Sequence, residues 1–504
     1  MSIAIENISP SQPGAVAFIA NEEKKLLIDG RWMTADSGEQ IASINPATGD
    51  MIASIASANA NDVDRAVNAA RKALVSGPWS SITPSDRAKI MWRIADLMEE
   101  HIDELAELET LDQGKALYVG RWAEIPGAIE QFRYFSGQAT KIGGETIPSS
   151  INYQPEGKQI FAYTQKEPVG VVGAIVPWNS PLVLTAMNIA PALAAGCTIV
   201  LKPAEDTSLT AIRLGELMIE AGLPAGVINI VTGYGHTAGA ALAAHPLVDK
   251  IAFTGSTGTG RAILDSAKGN LKKVSLELGG KSPVVILDDA DLDLAIPGAA
   301  NAIYFNAGQV CVAGSRLFAH RKIFDKVVDG VSSVAASIKL GNGLNPETQM
   351  GPLVSDKQAA AVSGFVDRAR DAGASVVVGG ERLSDQGCFY SPSVITDVTP
   401  NMEIVREEVF GPVVVCTPFD DVEEVTDLAN DTQYGLAASV WTENLSWAHR
   451  LASSIRAGTV WINCHSMYDA SLPIGGMKQS GWGRLSGKNA VESYLETKTV
   501  CAVV

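Results

Sequence analysis

VGVVGAIVP (169–177), GCTIVLKP (196–203), GVINIVTG (226–233) and KIAFTG (250–255) are four apolar runs of strand length, each closed by Pro or Gly. Runs that are apolar at successive rather than alternate positions belong to strands buried on both faces. Segments of helical character separate them, such as SLTAIRLGELMIEAG (208–222). Repeated strand-helix units predict a parallel sheet covered by helices on both sides, an α/β fold. The pattern resumes at PVVILDDADL (283–292) and PVVVCTPF (412–419), with Gly- and Pro-rich breaks between, which predicts a second α/β domain.

Working upstream, helical periodicity covers 61–118. DVDRAVNAARKAL (62–74) and SDRAKIMWRIADLMEEHIDELAELETLDQG (85–114) repeat apolar residues at i, i+3, i+4 and i+7, the second opening on a Ser-Asp cap and stopping at Gly114. Residues 1–25 read as a polar, flexible tail ahead of a strand at Leu26-Leu27-Ile28.

The chain has 504 residues, enough for about three domains at roughly 150 each. Its 39 basic and 56 acidic residues give a net charge of −17, which argues against a nucleic acid or an anionic membrane as partner and leaves small molecules and protein chains. Six scattered cysteines (197, 311, 388, 416, 464 and 501) suit neither a disulfide framework nor a zinc site, and the six histidines have no metal spacing, so no metal is expected. A reducing, cytoplasmic location is expected, since the start of the chain lacks the pattern of a signal peptide and Pro and Asn interrupt every long apolar stretch.

Five constellations can carry chemistry. KIAFTGSTGTGRAI (250–263) joins a strand to a helix through Gly255, Gly258 and Gly260, where positive φ and close approach would let a pyrophosphate reach the helix start; a plain tight turn fits the same residues. Lys202 and Glu205, at the end of TIVLKPAED (198–206), can hold ribose hydroxyls or simply cap a solvated strand end. Cys311, in NAIYFNAGQVCVAGSR (301–316), has the small neighbours a nucleophilic thiol needs, although most cysteines are buried small hydrophobes. Glu277, in VSLELGGKSP (274–283), is a carboxylate in an apolar strand, where burial raises its pKa towards a general base's range unless backbone amides satisfy it. Asn179, between two prolines in VPWNSP (176–181), is a rigid amide suited to an oxyanion or to a turn.

PWN, KPAE, FTGSTxxG, LELGGKSP, NxGQxCxAGSR, EEVFGP and PxGGxKQSGxGR occur in this order from about Leu26 to the end. Together they resemble the aldehyde dehydrogenase superfamily, and WINCHSMYDASLP (461–473) is similar to the branch acting on phenylacetaldehyde in bacteria. The resemblance implies a doubly wound NAD-binding domain (26–148 and 168–279), a catalytic domain (280–485) and a small β oligomerisation arm (149–167 and 486–504). It implies homodimers or dimers of dimers, and an aldehyde as small-molecule substrate. It makes Cys311 the nucleophile, Asn179 an oxyanion donor and Glu277 the base that activates the hydrolytic water. Around NAD it places Trp178, Lys202, Glu205, Gly235, Gly255, Ser256, Gly260, Leu278, Glu408 and Phe410. Along the substrate tunnel it places Ser180, Met187, Val310, Val312, Met467, Tyr468 and Ile474.

Three departures stand out. Ser180 and Ile474 replace aromatic residues that many relatives carry, which makes room for a ring brought by the substrate; phenylacetaldehyde is the expected substrate, a broad range of aliphatic aldehydes the alternative. Asn188 and Leu485 replace a Lys and a Glu of the usual proton relay, so a different proton exit is implied. Transfer of the acyl group to coenzyme A is disfavoured by Glu277, and a non-catalytic binding protein by the survival of Cys311, Asn179 and Glu277 together.

Overall fold

The computed structural model describes residues 7–21, 23–153, 155–384 and 386–504. Five parallel strands form the middle of an eight-stranded sheet, in the spatial order Lys273–Glu277, Lys250–Thr254, Val171–Ile175, Thr198–Lys202 and Ile228–Ile230. Numbered along the chain they run 5-4-1-2-3, a doubly wound sheet whose strand order reverses at Val171–Ile175. Ile175 lies opposite both Lys202 and Phe253, and Thr254 opposite Glu277. The carboxyl ends of four strands therefore align, and the residues after them open onto one crevice.

A second, seven-stranded sheet has the order Ser375–Val378, Ser393–Thr396, Val413–Phe419, Arg316–His320, Pro283–Ile286, Ala437–Trp441 and Thr459–Ile462, parallel except at its first edge. The two sheets are stitched together by Gly481–Trp482, which leaves the second unit and pairs antiparallel with Leu276 and Glu277 of the first. That crossover moves part of the expected catalytic segment 280–485 onto the cofactor sheet.

The arm is a three-stranded sheet in which Leu495–Val503 pairs antiparallel with Ile160–Pro168 over nine positions and Thr146–Ile147 adds a short third strand. It thus begins before residue 149. The helix Gly487–Glu492, expected in the arm, packs instead on the helix Pro181–Ala195. Leu495–Val503 forms an outer edge of this sheet.

The helical reading of 61–118 resolves into Ala60–Ser76, Pro84–Glu100 and Ile102–Gln113. The cap of the second is Thr83, not Ser85: its Oγ1 accepts the Asp86 N–H at 3.1 Å, with Pro84 pre-set at the first helical position. His101 separates the second from the third. Gly114 ends the third at φ 91°, wedged between Pro46 and Pro352 so that a Cβ would come within 2.7 Å of Pro46. Among the described residues no helix is long and apolar enough to cross a membrane.

The expectation of a flexible tail is corrected over the described part of 1–25; residues 1–6 and 22 lie outside it. Pro13–Ala20 is a helix whose Ala15 and Phe18 are buried, packed with Ile55, Leu108 and Leu209. Its start is tied down by the Glu107 carboxylate, which accepts the N–H groups of Ser11 and Gln12 at 2.9 Å. The reading failed because a single buried face of eight residues is too short to show a period. Removing this anchor in Glu107→Ala is expected to speed tryptic cleavage after Lys24 and Lys25 by about tenfold, the effect of losing ~1.4 kcal/mol of charge-assisted hydrogen bonding, as followed by mass spectrometry of the released peptide.

Candidate active site

Cys311 stands on a loop whose shape is dictated by three successive left-handed residues. After the helix Leu292–Tyr304 come Asn306 (φ 49°), Ala307 (φ 55°) and Gly308 (φ 70°). Asn tolerates this region and Ala does not, so the loop is strained and must be held from outside. Gly308 is obligatory on a second count: a Cβ there would lie 2.1 Å from the Gly411 carbonyl oxygen. Gln309, fully buried, accepts the Val354 N–H at 2.9 Å and donates to the Asn306 carbonyl at 3.2 Å.

The same loop is latched to the turn after Val171–Ile175. Asn179 Nδ2 donates to the Gln309 carbonyl at 3.0 Å, and Asn306 Nδ2 returns a bond to the Asn179 carbonyl at 2.9 Å. Asn179 Nδ2 carries two hydrogens, so one remains for another acceptor.

Carboxylates surround the thiol. Burial, with Glu408 and Glu277 nearby, pushes the Cys311 thiol up to about 12. The two glycines of LELGGK allow the approach: a Cβ on Gly279 would meet the Glu408 carboxylate at 2.1 Å, and one on Gly280 the Cys311 carbonyl at 2.4 Å. Glu408 Oε1 accepts the Gly280 N–H at 2.9 Å, and burial raises its carboxyl to about 7 against the pull of that bond and of Lys281. Burial holds Glu277 well above the usual carboxylate range, with Arg484 opposing. Its Oε1 has no hydrogen-bond partner among the described residues. A Cβ on Gly475 would fall 2.7 Å from that oxygen, so only glycine lets the crossover segment pass. A dry carboxyl with a vacant oxygen can accept a proton near neutrality.

The cofactor candidates share the crevice at the aligned strand ends. Lys202 Nζ donates to Glu205 Oε2 at 2.8 Å, and Glu205 Oε1 accepts the Gly235 N–H at 3.4 Å. Burial pushes Glu205 up, but the Lys202 ammonium and these bonds outweigh it and keep the carboxyl low. Ser256 caps the helix Thr257–Ala267, its Oγ accepting the Thr259 N–H at 3.2 Å. Neither Gly255 nor Gly260 has the expected positive φ; both serve close approach, Gly255 to the Phe253 ring and Gly260 to Leu278. Across the crevice Trp178 and Phe410 meet edge to face at 5.2 Å. An acceptor carboxylate, a lysine, a helix start and a glycine opening are the groups a dinucleotide requires, and they fit NAD.

The tunnel candidates divide. Val310 and Val312 pack with Cys311 against Trp461, whose ring meets Tyr468 edge to face at 5.8 Å. Met187 is buried on the helix Pro181–Ala195, and Ile474 is held by reciprocal backbone bonds to Leu485. Met467 is 64% exposed and so stands at an outer position. Ser180 does not stand free in the tunnel: its Oγ donates to Glu124 Oε1 at 2.8 Å. Reading the sequence missed Trp461, Arg484 and Gln309, and also the buried ionic group Lys115, Glu109 and Glu124. Asn188, in place of a relay lysine, donates to the Leu184 carbonyl and to Thr254 Oγ1, and its own carbonyl accepts from Tyr494.

A sequence profile of the aldehyde dehydrogenase family matches residues 32–500. The protein DhaS of Bacillus subtilis is 50% identical over 477 residues, 95% of each chain. A phenylacetaldehyde dehydrogenase of Pseudomonas fluorescens is 47% identical over 478 residues, 94% of this chain and 95% of that one. Among solved structures, the NAD+ complex of an aldehyde dehydrogenase from Bacillus cereus matches with a TM-score of 0.96 at 48% identity, covering 99% of this chain and 100% of that one. The chain belongs to the aldehyde dehydrogenase family.

The charge around Cys311 has a measurable sign. Glu408→Gln removes a neighbouring negative charge and is expected to speed alkylation of Cys311 by iodoacetamide several-fold at pH 8.5, by lowering the thiol pKa. The gain should vanish at pH 6, where Glu408, raised to about 7, is itself mostly protonated. Peptide mapping, with the exposed Cys501 as internal reference, reads both rates.

Proposed function

We propose that this chain oxidises an aldehyde to its carboxylic acid with NAD, through a thioester on Cys311, and that arylalkyl aldehydes such as phenylacetaldehyde are its preferred substrates. The observation that carries the reading is the convergence of a thiol, a fixed amide and a dry carboxyl from two different sheets, within a family of aldehyde dehydrogenases.

Cys311 attacks the aldehyde carbon, and Glu277 and Glu408 are the carboxylates placed to take the thiol proton. The resulting oxyanion is held by the free Asn179 N–H and the Cys311 main-chain N–H. When bound, NAD supplies the acceptor for the hydride that leaves this carbon. Lys202 and Glu205 hold the adenine ribose, while Gly235, Gly255, Ser256 and Gly260 with Leu278 shape the crevice. Glu408, Phe410 and Trp178 flank the nicotinamide end. Glu277 then draws a proton from the water that hydrolyses the thioester. Glu205 favours NAD over NADP, because its negative charge repels a 2′-phosphate.

Ser180 and Ile474 leave space where relatives carry rings, and Trp461 and Tyr468 supply aromatic surface beside Cys311, which supports an arylalkyl substrate. The likeness to the Pseudomonas fluorescens phenylacetaldehyde dehydrogenase points the same way. The long outer strand Leu495–Val503 supports a homo-oligomer, since an unpaired edge of nine residues is a template for a partner chain.

Cys311→Ala is expected to lower NADH formation by more than ~10³-fold while NAD binding, read by fluorescence titration, stays intact. Glu277→Gln should form one equivalent of NADH per active site in a burst and then stall, because Glu408 remains to take the thiol proton while deacylation needs Glu277; a normal steady rate would remove Glu277 from that role.

Phenylacetaldehyde is expected to exceed acetaldehyde and hexanal in kcat/KM by about 10- to 100-fold, the scale of ~1 to 3 kcal/mol of apolar contact. Ser180→Phe should erase that advantage. Highest efficiency with acetaldehyde would leave the family assignment standing and overturn the substrate.

A further inference from the structure

Three charged side chains lie beneath the Asn179–Ser180 turn, almost out of reach of water: Lys115, Glu109 and Glu124. Lys115 Nζ donates to Glu109 Oε1 at 2.8 Å, to Glu124, and to the Asn179 carbonyl at 3.2 Å. All three ammonium hydrogens are thereby used. Glu109 Oε2 accepts the Leu182 N–H at 3.2 Å, and Glu124 Oε1 accepts from Ser180 Oγ at 2.8 Å. Positions 179, 180 and 182 are each gripped by a different member of the group. Since the Asn306 amide and the Lys115 ammonium donate to the same Asn179 oxygen, that peptide plane cannot turn.

Such a group is a costly way to stabilise a fold, because apolar side chains of the same volume serve stability as well or better. What apolar side chains cannot do is hold a carbonyl oxygen and a backbone N–H at fixed points. We infer that Lys115, Glu109 and Glu124 are positioning residues of the oxyanion site, fixing the Asn179 main chain so that its side-chain amide faces the carbon attacked by Cys311. The inference rests on the proposed role of Asn179 as oxyanion donor.

The group also sets the local charge. Burial, with Glu109 beside it, raises the Glu124 carboxyl to about 8 against the pull of Lys115. Burial likewise acts on Glu109, but Lys115 and the bond from Glu124 outweigh it and hold that carboxyl low. With a proton on Glu124 and the ammonium balanced by Glu109, the three sum to zero. Facing them are Asp112 from the helix that carries Glu109, the Tyr468 hydroxyl, and Cys311 beyond Tyr468. When Glu124 loses its proton, a net negative charge sits under the forming oxyanion, and the step that builds it slows. Glutamine at this position stays neutral at every pH, keeps an oxygen for Ser180 and an N–H for Glu109, and gives up the acceptor that Glu124 offers Lys115.

Stopped-flow NADH formation with saturating phenylacetaldehyde and NAD tests this between pH 7 and 9.5. The ratio of the Glu124→Gln burst rate to the wild-type burst rate is expected to rise about fivefold or more across that range; titration of the Cys311 thiol, common to both proteins, divides out. Lys115→Met is expected to slow the burst by ~10- to 100-fold, close to the effect of losing the donor itself in Asn179→Ala, with NAD affinity changed less than about twofold. Circular dichroism checks that the variants are folded, and should Lys115→Met fail to fold, the Glu124→Gln ratio decides. A wild-type burst in folded Lys115→Met, or, should that variant not fold, a Glu124→Gln burst equal to wild type at every pH, with Asn179→Ala slow, would overturn this inference and leave the oxyanion role intact. A wild-type burst in Asn179→Ala would remove the oxyanion role itself.

Discussion

The reaction centre depends on a reciprocal pair of hydrogen bonds, from Asn179 Nδ2 to the Gln309 carbonyl and from Asn306 Nδ2 to the Asn179 carbonyl. The first residue follows a strand of the eight-stranded sheet, and the other two precede Cys311 on the seven-stranded unit. The bonds thus fix the distance between an amide and a thiol that belong to separate layers. A shift of one layer against the other would break both bonds and leave three buried polar groups unpaired, the Asn179 carbonyl alone keeping a partner in Lys115, each a cost of about 1 to 3 kcal/mol. The latch makes the two units one catalytic body.

Strain and dryness follow from that latch. The left-handed run Asn306, Ala307, Gly308 is held by the bonds of Gln309 and of Asn306 to Asn179, with the Gly411 backbone close against Gly308. Turning the loop this way brings Cys311 under Gly280 and beside Glu408, where loss of water moves every titratable group. Burial and the neighbouring carboxylates raise the Cys311 thiol, and burial raises the Glu408 and Glu277 carboxyls. The crossover Gly475–Arg484 closes the third side, and glycine at 475 is what lets it touch Glu277.

Much of the fold is legible in the sequence. The strand runs at 169–177, 196–203, 226–233 and 250–255 are all strands of one doubly wound sheet, because continuous apolar runs of that length have no other stable place. Cys311, Asn179 and Glu277 stand out through motifs with small and rigid neighbours, and the structure brings the three together. The failures have equally particular causes. The helix Pro13–Ala20, PGAVAFIA, is apolar throughout and too short to show a helical period, and Thr83 rather than Ser85 caps its helix because Pro84 must occupy the first helical position. Gly255 and Gly260 were right as glycines for the wrong reason, being required by the Phe253 ring and Leu278 rather than by φ.

The sequence by itself determined the class of fold and the order of the strands along the chain, and it singled out Cys311, Asn179 and Glu277 as candidates, since these depend on local pattern and on which side chains can do the chemistry. Only the tertiary structure decided their environment. Lys115, Glu109 and Glu124 look like the solvated face of a helix and its flank, and they are buried because three segments of chain close over them and supply their partners. Ser180 looks like an empty place in an apolar tunnel, and its hydroxyl is already engaged by Glu124. Burial and partnership are properties of distant segments brought together, and a charged residue carries no local sign of which it will meet.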